Sequence, residues 1–254
     1  MASACLLNAN AQFGKIKIDP TKVTKAATDV AKAITLTDAD VAALCQEYID
    51  WVDEHNPVCE IDSKDPGMKA YADRLHNLVK DHTREDGMKL DIKAYYVIDQ
   101  NAFACANGSI RVFAGLMDML TDDELLGVIG HEMGHIKNTD SKDAMKQAYM
   151  TSAAKSAVAS TGSVAQALTD SELGALGEAL AGAQYSQKQE YAADDYGYNF
   201  LKKSGYDSKG MASALRKIQQ LQDDAGMDKS KVKALFSSHP DSAKRAERLE
   251  KKDN

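Results

Sequence analysis

Apolar residues recur at helical spacing through most of this 254-residue chain. Thr37-Asp38-Ala39-Asp40 reads as a helix start ahead of Val41, Leu44 and Tyr48, and the pattern stops near Asn56-Pro57. A second helix is expected from about Gly67 to Asp81, with Tyr71, Leu75 and Leu78 on one side. The period then changes: Ile92 to Ile98 is rich in β-formers. Ala102 to Cys105 and Ser109 to Phe113 read as a hairpin closed by a tight primed turn at Asn107-Gly108. Thr121-Asp-Asp-Glu124 has the form of a capping box and opens an apolar helix, Leu125 to Lys137. Beyond it the pattern predicts a helix from about Asp140 and a small-residue connection near Thr161-Gly162. One long helix from Ser171 to about Lys203 and two shorter ones, near Asp207 to Asp223 and Asp241 to Lys251, finish the chain. The expected class is mainly α with a small β-sheet (α+β). No internal repeat or linker calls for a second domain. Residues 37–254 are expected to form one domain, and residues 1–36 an export remnant or flexible segment.

Composition narrows the partners. With 44% hydrophobic residues the chain can bury a core. A formal net charge of −7 and a pI near 5.4 leave no basic surface for nucleic acid. No stretch approaches the roughly 18 apolar residues of a membrane-spanning helix. The least polar region, Ala153 to Gln184, is interrupted by Lys155, Asp170, Glu172 and Glu178. At the N-terminus, Ala9-Asn10-Ala11 has the small-x-small pattern seen before signal cleavage, and Ala2-Ser3-Ala4-Cys5 loosely matches an acylation box. This suggests a start inside or just after an export signal; an untargeted tail is the alternative. The four cysteines, Cys5, Cys45, Cys59 and Cys105, form no CxxC pair. Cys45 and Cys59 are close enough in sequence for a local disulfide in an oxidising compartment, and Cys105 reads as a buried small hydrophobe.

Candidate chemistry gathers at His131-Glu132-Met-Gly-His135 within the capped helix. Residues four apart share a helix face roughly one turn apart, so two imidazoles can converge on one Zn²⁺ while Glu132 reaches an attacking water. A catalytic zinc needs a third protein ligand and an open fourth position. Glu190 supplies a candidate ligand. Asp194, again four residues on, can accept the free ring N–H of His131 and fix its tautomer. His239, held in extended backbone by Pro240, can point into the cleft, either to donate to a developing oxyanion or to fill the open metal position at rest. Arg245 can brace that loop by a salt bridge or touch substrate. His55, His76 and His82 have no partner pattern and read as surface residues.

These residues together resemble the gluzincin peptidases that include HtpX and the CAAX prenyl proteases, and within them the soluble, LoiP-type envelope branch. The matching stretch begins at Asn101-Ala-Phe-Ala and runs through Gly108 to Leu116. It then takes in Thr121-Asp-Asp-Glu-Leu, the His131 to His135 helix, Glu190-Tyr-Ala-Ala-Asp194, and His239-Pro240 with Arg245. The resemblance covers about Tyr71 to Leu249. It implies a zincin-like fold in which extended substrate lies antiparallel to an edge strand, here within Ala102 to Phe113, with Asn101 beside it. It also implies one zinc per chain, unfolded or misfolded protein substrates, and a bacterial envelope setting in protein quality control, often with a lipid anchor. The transmembrane helices of the membrane-embedded relatives are missing, so prenyl-protein or intramembrane substrates are not expected. Ala2 stands where an acylation box carries a larger aliphatic residue.

The mechanism this predicts is water-promoted amide hydrolysis, with Glu132 as general base and then acid, and His239 as a candidate second donor to the oxyanion. A zinc-bound assembly factor or holdase with little turnover is the competing reading. An intact Glu132 argues against it, because binding alone needs ligands but no base. A metal-free helical scaffold is the third.

Overall fold

The computed structural model describes residues 36–155, 168–224 and 238–252. The chain is mostly helical with a small mixed sheet. The N-terminal segment with Cys5, and the expected connection at Thr161-Gly162, lie outside the described residues.

Helix α1 (Asp38–His55) starts as the sequence predicts. Thr37 Oγ1 accepts the Asp40 amide at 3.2 Å, and the Asp40 carboxylate returns to the Thr37 amide at 2.9 Å. After β1 (Val58–Cys59), helix α2 (Pro66–Val79) is capped by Asp65 with Pro66 at its first position, where a missing N–H costs nothing. A 3₁₀ turn over Lys80–His82 leads to β2 (Arg84–Glu85) and β3 (Met88–Lys89). Here the primed turn appears: Asp86 and Gly87 both have positive φ, 48° and 85°, in a two-residue hairpin loop.

Strands β4 (Asp91–Tyr95), β5 (Ala102–Ala104) and β6 (Ser109–Phe113) join β1 in the order β1-β4-β6-β5. β6 runs parallel to β4 and antiparallel to β5, so β5 is an edge strand. The expected hairpin is present, but its turn differs. Only Gly108 is left-handed (φ 95°), its N–H donates to the Cys105 carbonyl, and the Cys105 N–H donates to Ser109. That is a three-residue loop ending in a glycine bulge rather than a primed pair. Glycine is needed there also for space, since a Cβ at 108 would lie 2.0 Å from the Lys89 carbonyl oxygen.

Helix α3 (Ala114–Met119) precedes α4 (Asp122–Lys137), whose Thr121/Glu124 capping box forms as expected. Helix α5 (Asp140–Lys155) follows after Thr139, at φ 65°. The single long helix expected from Ser171 to Lys203 is two helices: α6 (Asp170–Ala181) and α7 (Gln187–Lys203). The break has a local cause. Ser186 caps α7 through a further reciprocal box with Gln189, which competes with helical continuation across Gly182 to Tyr185. Helices α8 (Lys209–Asp224) and α9 (Ser242–Glu250) end the described chain.

Two apolar clusters flank the β5–β6 hairpin. The larger joins Leu75, Ile110, Val112, Leu126, Ile129, Phe200, Leu215 and Leu249; the smaller joins Val41, Leu44, Ile49, Cys105, Met145 and Leu176. Cys45 and Cys59 fall in different clusters, so the expected local disulfide is not formed; the thiol beside Cys45 is that of Cys105. Arg111, fully buried in β6, ties α1 to the sheet by donating to Asp53 at 2.8 and 2.9 Å and to Asp91 at 2.8 Å. His82 is partly buried, bonded to Glu85 and edge-on to Phe200, rather than a free surface residue.

Helix α4 packs closely against α7. A Cβ at Gly134 would sit 2.8 Å from Ala193 Cα, one at Gly130 would sit 3.0 Å from Gly197 Cα, and one at Gly197 would sit 2.8 Å from the Gly127 carbonyl oxygen. Backbone meets backbone there, so a branched side chain must drive the helices apart. Gly134→Val is expected to lower unfolding free energy by about 1–3 kcal/mol through overpacking. Urea unfolding of metal-free protein measures it, and an unchanged midpoint would count against the tight crossing.

Candidate metal centre

Helix α4 presents His131 and His135 on one face, 4% and 0% exposed, with ring planes 89° apart and their Nε2 atoms 3.0 Å from each other. The first turn of α7 brings in Glu190, fully buried, with Oε1 3.4 Å from His135 Nε2 and Oε2 3.6 Å from His131 Nε2. His239 reaches in from the segment before α9. Its Nδ1 lies 2.9 Å from Glu190 Oε1 and 3.3 Å from His131 Nε2. One donor atom from each of these four residues lies within 4.8 Å of the other three. Glu132, 3% exposed, stands 3.7 Å from His239 Nε2.

The outer nitrogens decide what the inner ones offer. His131 Nδ1 lies 3.0 Å from Asp194 Oδ1, the contact expected from sequence, and His135 Nδ1 lies 3.0 Å from Asp140 Oδ2. A carboxylate only accepts, so each ring carries its proton on Nδ1 and turns an Nε2 lone pair inward. Two neutral rings so oriented would set lone pairs 3.0 Å apart beside a carboxylate at 3.4–3.6 Å, an arrangement that needs a proton or a metal ion among them. The donor set of two imidazoles and one carboxylate is the one that a catalytic zinc uses. The residues fit a metal.

Asp140 escaped the sequence reading, although an acidic residue five positions beyond His135 was a usable signal. The left-handed Thr139 folds the chain back so that the start of α5 returns to α4. Gln189, in the first turn of α7, donates to Asp140 Oδ1 at 2.9 Å and so joins α7 to the start of α5, whose Asp140 also holds His135. Tyr185 was also missed. Its ring stacks on His135 at 3.9 Å and 16°, and its N–H donates to the Ser238 carbonyl, anchoring the His239 segment. Arg245, 1% exposed, braces rather than reaches outward: it donates to Asp194 at 2.9 and 2.6 Å and forms an ion pair with Glu190. Asn101 lines the cleft at the start of β5, and its carbonyl accepts the Phe113 amide.

Electrostatics separate the groups. Burial pushes the His131 imidazolium pKa down to about 3, despite the Asp194 hydrogen bond. At His135 burial is outweighed by Asp140 and Glu190, which hold it at about 9. Burial would raise Glu190, but the charges and hydrogen bonds of His239 and His135, with Arg245, hold it far below the carboxylate range. Asp194 is likewise held down to about 2 by Arg245 against the effect of burial. Glu132 has no such partner at hydrogen-bond distance, and burial raises it.

Comparison with known proteins agrees with this geometry. The model of Peptidase family M48 matches residues 69–253. The chain belongs to peptidase family M48. It is 36% identical over 233 residues to Metalloprotease LoiP of Escherichia coli, covering 91% of this chain and 88% of that one. Metalloprotease YcaL of the same organism is 35% identical over 233 residues, covering 91% and 87%. A Protease HtpX homolog of Salinibacter ruber is 30% identical over 211 residues, covering 72% and 75%. As a member of M48, the chain is a metalloendopeptidase acting on peptide or protein substrates. Among the described residues no helix is long and apolar enough to cross a membrane.

Removing either outer carboxylate frees a ring from its tautomer. Asp140→Ala and Asp194→Ala are each expected to weaken metal affinity by roughly 10–100-fold. Competition with a chromophoric chelator measures this; affinity unchanged in both variants would mean the carboxylates do not orient the rings.

Proposed function

We propose that this M48 peptidase is a zinc-dependent endopeptidase of the bacterial envelope that hydrolyses unfolded or misfolded proteins. The observation that carries the reading is the pairing of a convergent donor set, His131, His135 and Glu190, with a buried carboxyl, Glu132, that engages no ligand-orienting partner. One zinc per chain would be held by those three residues, supplying Lewis-acid polarisation of the scissile carbonyl and acidifying water. The protein's own steps follow from placement. Glu132 takes the proton of the attacking water and returns it to the leaving amine, a task suited to a carboxylate whose pKa is raised by burial. Asp140 and Asp194 keep both imidazoles in the ligating tautomer, and Arg245 offsets the charge of Glu190 and Asp194 in the dry interior. The envelope setting and quality-control role rest on the resemblance to the LoiP-type branch.

His239 sits among the ligands, where a fourth coordination position would fall, so the resting-state plug gains support over the oxyanion donor. The same observation favours the second reading, a zinc-bound holdase or assembly factor with little turnover.

Elemental analysis should give one zinc per chain. Glu132→Gln should retain that zinc and abolish cleavage of a denatured test protein, whereas His135→Ala should lose the metal. Cleavage by pure Glu132→Gln protein would remove Glu132 as the base.

At equal zinc content, His239→Ala is expected to cleave faster than wild type, because substrate no longer competes with an imidazole. A fall of about 10²-fold would instead assign His239 to the oxyanion.

A further inference from the structure

Tyr185 stands one residue before the Ser186 cap, so the box that starts α7 fixes it and the candidate ligand Glu190 in one turn of chain. A hydrophobic residue at that place often packs on the fourth residue of its own helix. Here the fourth residue is Glu190, whose carboxylate faces the two imidazoles. The Tyr185 ring lies instead on His135, centroid to centroid 3.9 Å, with 16° between the planes. We propose that Tyr185 is a positioning residue of the metal centre: the face of its ring holds the plane of the His135 imidazole, so that Nε2 stays aimed at the metal position. The inference rests on the metal-centre reading and adds a residue to it.

Three observations carry it. First, Asp140 meets His135 at one point, Nδ1. A single hydrogen bond sets the tautomer and the in-plane direction but leaves the ring free to tilt about it. A parallel ring against its face removes that tilt. The stack strengthens when metal is bound, because a ligating imidazole takes on part of the cation's charge and the face of an aromatic ring attracts positive charge. Second, His135 is fully buried, and the Tyr185 ring, carried in the break between α6 and α7, covers this face of it. Tyr185 also lines the cleft beside Glu132, so without the ring that face would open to the cleft. Third, the Tyr185 N–H donates to the Ser238 carbonyl at 3.2 Å, and its ring centre lies 5.3 Å from that of His239. One residue therefore borders both the ligand and the imidazole at the fourth position. The ring serves the first, and the backbone holds the segment that carries the second.

Tyr185→Phe keeps the ring face, and Tyr185→Leu removes it. Zinc affinity, read by competition with a chromophoric chelator, is expected to fall about tenfold in Tyr185→Leu and to stay within about twofold of wild type in Tyr185→Phe. The visible absorption of protein loaded with Co²⁺ reports ligand geometry, which a merely structural role would leave alone. Its bands should shift or weaken in Tyr185→Leu and match wild type in Tyr185→Phe. Urea unfolding of metal-free protein checks the fold, and Tyr185→Met, with a more adaptable side chain, repeats the comparison should leucine disturb it. His239→Ala separates the two contacts: in that background Tyr185→Leu should still weaken zinc about tenfold, because the ring acts on His135. Wild-type affinity and spectrum in Tyr185→Leu overturn the proposal. So does an equal loss in Tyr185→Phe, which moves the role to the hydroxyl, or a loss that vanishes beside His239→Ala, which moves it to the His239 segment. Wild type that binds neither zinc nor cobalt fails the metal-centre reading, and the proposal with it; wild type that binds both while Tyr185→Leu is silent fails the proposal alone.

Discussion

The structure depends on how closely α4 can approach α7. Gly130 and Gly134 on one helix approach the backbone of Gly197 and Ala193 on the other, and Gly197 in turn approaches the Gly127 carbonyl. Each helix carries half of the candidate site at fixed spacing, the histidines on α4 and the two carboxylates on α7. At an ordinary interaxial distance of 8–10 Å, set by larger side chains, these short and medium side chains would not meet as well. Small residues at the crossing therefore do positional work. They trade the burial of larger apolar groups for carboxylate–imidazole contacts at 3.0–3.6 Å.

Close approach also concentrates charge. Glu132, Asp140, Glu190 and Asp194 are all buried, with His131, His135, His239 and Arg245 among them. Burying ionised groups is costly unless each is paired. Arg245 compensates on the α9 side by holding Asp194 in a two-pronged contact and facing Glu190. Gln189 and Asp140 close the opposite side. Glu132 alone is left without a partner at hydrogen-bond distance, as its proposed role as the base requires. The separation of roles among four carboxyls thus comes from their surroundings rather than from residue type.

Much of this was legible because it depends on short spacings. The His131/His135/Glu132 and Glu190/Asp194 relations follow from helical periodicity, and the Thr37 and Thr121 boxes mark helix starts at the residue level. Other local signals were present and passed over. Ser186 and Gln189 form a capping box that divides a stretch whose periodicity looked continuous, and Asp86-Gly87 is the primed turn that was assigned to Asn107-Gly108. Those misses concern turn chemistry, where competing local bonds end a pattern that hydropathy alone would extend.

The sequence by itself determined the helix-rich class, the edge hairpin, the identity of the candidate ligands and base, and the family. All of these are set by residue types at separations of a few positions. Only the tertiary structure decided which residues serve them from afar. Asp140 turns back to His135 through one left-handed residue, Arg245 reaches α7 from α9, and His239 arrives among the ligands from 108 positions beyond His131. It decided likewise that Cys45 lies beside Cys105 rather than Cys59, and that the Tyr185 ring lies on His135. Such pairings depend on how helices pack after they form, and packing is set by the shapes of whole faces, which no single stretch of sequence displays.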